Sequence, residues 1–107
     1  MIKGDCYKVA FDLMVDNKGF LLVHGLVKGQ GDLAGTVIGH AWCEFQDCVF
    51  DYSNGHQLVT RKENYYAKGV VKVKRYTYEQ ALKLGFKHEN YGSWDDEVCC
   101  PHQRGKK

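Results

Sequence analysis

Two apolar segments separated by only two residues set the strongest constraint on this chain. TVIGHAWCEF, residues 36–45, and CVFDYS, residues 48–53, both read as strands, with only Gln46 and Asp47 between them. So short a gap reads as a tight antiparallel hairpin, although Gln-Asp is not the favoured Asn-Gly pair. Folding about that turn sets residue 40 roughly opposite residue 53, with Asp51 a near-diagonal neighbour of His40. An Asp flanked by Val49, Phe50 and Tyr52 is costly to bury without a partner, and His40 is an obvious one.

The remaining pattern supplies the other layers. FLLVHGLVKG, residues 20–29, reads as a buried strand, followed by a Gly-rich turn. VVKVKRYTY, residues 70–78, alternates Val71 and Val73 against Lys72 and Lys74, which predicts a half-buried strand whose lysines protect a sheet edge. DCYKVAFDLMVD, residues 5–16, predicts a helix with Asp5 as N-cap and an apolar face of Val9, Ala10, Leu13 and Met14. Thr77 and Gln80 resemble a capping box opening a helix over 78–84, which Gly85 is expected to end. Residues 54–67 read as irregular or weakly helical, with Leu58, Tyr65 and Tyr66 packing inward. The order α-β-β-β-(α)-β-α predicts an α+β fold, an antiparallel sheet with the Cys6 helix packed on one face. The 107 residues suffice for one core, placed at 1–95, with 96–107 a flexible tail.

Several function classes are excluded. The longest apolar runs are too short for a transmembrane helix, and the N-terminal MIKGDCYK shows no secretory signal, so a cytoplasmic protein is expected. Fifteen basic residues against thirteen acidic give a net charge of +2, too balanced to argue for nucleic acid. Lys72, Lys74, Arg75 and the basic tail are the only support for that class. The five cysteines are odd in number and fit reduced thiols better than a disulfide framework. Cys43 and Cys48, with Cys99, Cys100 and His102, lack the usual zinc-knuckle spacing. No nucleotide-binding glycine motif is present. Neither a metal nor an organic cofactor is expected.

Three residues carry the chemistry. Cys6 would sit in the first turn of its helix, where free N–H groups and the helix dipole favour a thiolate and offer donors to an oxyanion, with Asp5 opposing the thiolate. His40 on one strand would take the thiol proton, and Asp51 on the next would fix its tautomer. Trp42, His24 and Trp94 are expected to line the substrate site. Glu44 is expected to be structural.

The runs GDCYKVA and GHAWCEFQDCVFDYSNG together resemble the papain-like cysteine proteases, closest to the transglutaminase-like branch, with an NlpC-like core. The matches are Gly4 and Cys6, then His40, Ala41, Trp42 and Glu44, then Asp51 and Ser53. They span residues 4–55, about half the chain, which is shorter than typical members and has almost nothing upstream of Cys6. The resemblance implies a thiol hydrolase or acyl transferase acting on an amide, isopeptide or thioester bond of a peptide, protein or small acyl substrate. A non-catalytic protein-binding accessory module, viral or bacterial, on the same fold is the alternative.

Overall fold

The hairpin forms where its spacing predicts. In the computed structural model, which describes residues 6–29, 34–52 and 57–98, β2 (Val37–Phe45) pairs antiparallel with β3 (Cys48–Asp51). Glu44 faces Val49, so the register is the one the two-residue turn demands. Gln46 takes a φ of 55°, the left-handed turn conformation more often given to Asn or Gly.

Five strands make one antiparallel sheet in the order β4-β3-β2-β1-β5, with β1 at Leu21–Lys28, β4 at Leu58–Arg61 and β5 at Val70–Tyr76. The order places β4 and β5 on opposite edges. The chain between them passes over one face of the sheet through α2 (Lys62–Ala67). On that face Tyr65 packs with Val23, Trp42 and Val49. The other face carries α1 (Cys6–Asp16) and α3 (Tyr78–His88), where Cys6, Ala10 and Met14 bury against Leu22, Ala41 and Cys43. Their i, i+4, i+8 spacing is one helical stripe.

Several expectations are corrected. Residues 58–61 form a strand, although LVTR is short and three of its four residues are exposed. Leu58 is 38% exposed and does not pack inward, whereas Tyr65 is buried. Val71 is 53% exposed, because the β1–β5 register slips between Leu26 and Val27 and leaves it as the extra residue of a bulge. The capping box at Thr77 and Gln80 is present, but α3 runs through Gly85 to His88. A Cβ at Gly85 would lie 3.1 Å from the Phe11 ring, so this glycine is where α1 and α3 come close. Packed chain also continues past residue 95, through a 3-10 turn at Asp96–Val98 in which Val98 is buried. Asp5, the Gly-rich turn at 30–32 and the cysteines at 99 and 100 lie outside the described residues. Among the described residues, no helix is long and apolar enough to cross a membrane.

Candidate active site

Strand alternation puts His40 and Trp42 on the α2 face of β2, and Asp51 with Val49 on the same face of β3. Ala41, next to His40 on β2, is buried in the α1-side core. His40 Nε2 lies 2.9 Å from Asp51 Oδ2. The Cys6 side chain is a second hydrogen-bond partner of the same imidazole. With Nε2 engaged by Asp51, Nδ1 is left for the thiol. The imidazole thereby bridges the two layers, from a carboxylate under α2 to the first residue of α1.

Burial alone would lower the His40 pKa. Hydrogen bonding to Asp51 and Cys6, with their charges, outweighs it and raises the group to about 10. A proton on this imidazole is therefore strongly held at neutral pH. Cys43 has the opposite environment. Its Sγ donates to the Ala10 carbonyl at 3.2 Å, and burial, Asp51 and Glu44 push the thiol up to about 12. A buried thiol of that kind is a packing residue and not a nucleophile.

Tyr65 joins the site unanticipated. Its hydroxyl donates to Asp51 Oδ2 at 2.6 Å, the same oxygen that faces His40. Burial and the Asp51 charge hold the phenol's pKa up, which keeps it a donor. The signal available in sequence was the cost of burying Asp51: a carboxylate in an apolar strand needs more than one donor. The same reasoning applies to Glu44, which is fully buried with Tyr66 donating to one oxygen and Arg75 Nε 2.7 Å from the other. Lys62 Nζ stands 3.8 Å away. Burial would raise the Glu44 pKa, but Arg75, Tyr66 and Lys62 hold it below the usual range. Glu44 thus ties β2 to α2 and β5, a structural role.

Of the three residues expected to contact substrate, two are fully buried and Trp94 is half-buried. Trp42 and His24 have no exposed surface. Trp42 packs on the His40, Tyr65 and Tyr66 rings and supports the imidazole from below. His24 lies on the other face among Tyr7, Tyr76 and Trp94, with neither ring nitrogen hydrogen-bonded among the described residues. Trp94 is half-buried over His24 and Phe11 and closes that side of the core. A groove of about 680 Å³ lies beside the site, with His40 and Tyr65 among its lining residues. Among the described residues, no group of three or more His, Cys, Asp or Glu could hold a metal ion. Comparison with protein-family models, curated proteins and solved structures brings no match to this chain.

Proposed function

We propose that this protein is a small thiol hydrolase or acyl transferase of papain-like, transglutaminase-like type. The observation that carries the reading is the continuous hydrogen-bonded line from Asp51 through His40 to Cys6 at the start of α1. In this reading Cys6 and His40 share one proton that rests on the imidazole when Sγ attacks an amide, isopeptide or thioester carbonyl. The free N–H groups of the first turn of α1 face the developing oxyanion. His40 passes its proton to the leaving amine or thiol as the C–N or C–S bond breaks, and the acyl group remains on Sγ as a thioester. Water or an acceptor amine then attacks that thioester, losing a proton to His40, which returns it to the Cys6 sulfur. Asp51 holds the imidazole in the required tautomer throughout.

A non-catalytic binding module is the competing reading, and the 7% exposure of Cys6 favours it. One experiment decides between them. Brief iodoacetamide treatment at about pH 6 should modify Cys6 ahead of every other cysteine, because His40 assists that thiol. Peptide mapping that finds Cys48, Cys99 or Cys100 labelled and Cys6 untouched removes the thiol chemistry and leaves the module.

A further inference from the structure

The α2 face of the sheet continues beside His40 as an apolar row. Ile38 lies two residues before His40 on β2, so the two side chains share a face, about 7 Å apart along the strand. Val27 pairs with Ile38 on one side and with Val70 on the other, and directly paired residues point to the same face. Ile38, Val27 and Val70 therefore stand side by side across β2, β1 and β5. They line the groove of about 680 Å³ together with Leu58, Tyr65 and His40. The row is half-buried and Leu58 is exposed, so apolar surface is left open to solvent beside the imidazole.

The main-chain donors at the groove's turn residues are already engaged. The N–H groups of Lys28, Gly29, Lys68 and Gly69 donate to the carbonyls of Gly69, Thr36, Tyr65 and Tyr66 respectively. The Tyr65 hydroxyl is spent on Asp51, and the His40 ring on Asp51 and Cys6. The Lys28 stem covers Gly69, where a Cβ would lie 3.1 Å from Lys28 Cβ and 3.2 Å from its Cδ. That stem adds methylenes to the lining. An extended peptide needs main-chain partners, and these donors are spent. An alkyl chain needs none and gains from every methylene taken out of water.

We propose that this groove holds the alkyl chain of an acyl thioester whose carbonyl meets Cys6. The assignment rests on the thiol chemistry proposed above and names its substrate class. Sγ attacks the carbonyl and the C–S bond to the donor thiol breaks. The donor thiol leaves with the proton from His40, and the acyl group stays on Cys6 as a new thioester.

Binding tests it without turnover. The Cys6→Ala protein is titrated with N-acetylcysteamine thioesters of acetate, of octanoate and of acetyl-leucyl-glycine, and amide chemical shifts are followed by NMR. The octanoyl thioester should bind at least about tenfold more tightly than the acetyl one, because its longer chain takes more methylenes out of water. It should also bind more tightly than the peptide thioester, with its largest shifts at Val27, Ile38, Leu58 and Val70. Leu58→Ser, on the groove side of β4, should weaken octanoyl binding several-fold. Val59→Ser, exposed on the opposite face of the same strand, should leave it as it was. Equal binding of the acetyl and octanoyl thioesters, tighter binding of the peptide thioester, or a loss as large in Val59→Ser as in Leu58→Ser overturns the assignment. Iodoacetamide selectivity for Cys6 is read separately on the wild-type protein, so a failed groove and a failed thiol chemistry give different results.

Discussion

Asp51 accepts from two donors through one oxygen, with Tyr65 at 2.6 Å and His40 Nε2 at 2.9 Å. The two contacts predict different consequences for two conservative substitutions. Asp51→Asn keeps the shape, but its amide can donate to the ring nitrogen and stabilise the wrong tautomer. Cys6 alkylation should slow by about one to four orders of magnitude in a folded protein, the upper figure anchored by the serine-protease precedent. The limb of the pH profile set by His40 should also move down from about 10, because Asp51 is the first of the groups that raise it. Tyr65→Phe removes a donor and leaves more of the Asp51 charge to the imidazole. The same limb should then shift upward, with a stability loss on the order of 1–3 kcal/mol for the lost bond to a charged acceptor. Alkylation rate against pH and melting temperature, taken on the same samples, separate the two. An Asp51→Asn protein that is destabilised yet alkylates at the wild-type rate would remove Asp51 from the chemistry and leave it a core hydrogen bond.

At the scale of elements, α2 matters most, and it was the least legible in sequence. It has only six residues, and it crosses the sheet pinned by Tyr65 to Asp51 and by Tyr66 to Glu44. Glu44→Gln removes the charge that Arg75 and Lys62 face, while Arg75 can still turn to solvent, being 42% exposed. A loss of about 1–3 kcal/mol is expected, below the figure for a fully buried pair. Amide exchange should accelerate across Lys62–Ala67 before it does in α1 or α3. Exchange that speeds up uniformly would mean Glu44 supports the whole core and not this crossing. The strands β1, β2 and β5 were readable because their apolar runs are long or alternate, and the hairpin register followed from two residues of turn. The pairing of His40 with Asp51 followed from that register. Residues 58–67 were not readable, because a four-residue exposed edge strand and a six-residue helix are too short to impose a period. Gly85 misled for a different reason: a glycine that ends helices in isolation is kept inside this one by the nearness of Phe11. Tyr65 escaped because its partner lies fourteen residues away in sequence and across a layer in space.

For the molecule as a whole, a buried histidine and a half-buried one of opposite sign bracket the pH range of maximum stability. His24, enclosed by Tyr7, Tyr76 and Trp94, has no hydrogen bond at either nitrogen among the described residues, and burial lowers its pKa from 6.5 to about 3. Below 6.5 the unfolded chain therefore binds a proton there that the folded chain refuses, so stability falls as pH drops toward 3. His40, raised to about 10, behaves oppositely: its contribution is complete below 6.5 and is lost as pH climbs to about 10. Each limb should approach a slope of about 1.4 kcal/mol per pH unit. Other groups intrude outside a central window. Glu44, held below its ordinary 4.5, adds its own loss at lower pH, and unfolded cysteines begin to ionise at about pH 8.5. Denaturant unfolding between about pH 4.5 and 8.5 therefore reads the two histidines away from Glu44 and the unfolded cysteines. His24→Leu should flatten the acid limb and leave stability at neutral pH equal or higher, since it removes a buried polar ring that has no hydrogen-bond partner among the described residues. Asp51→Asn should flatten the alkaline limb and leave the acid limb in place. An acid limb that survives His24→Leu unchanged would mean that protonation elsewhere governs acid unfolding, and the burial of His24 would then carry no pH dependence of its own.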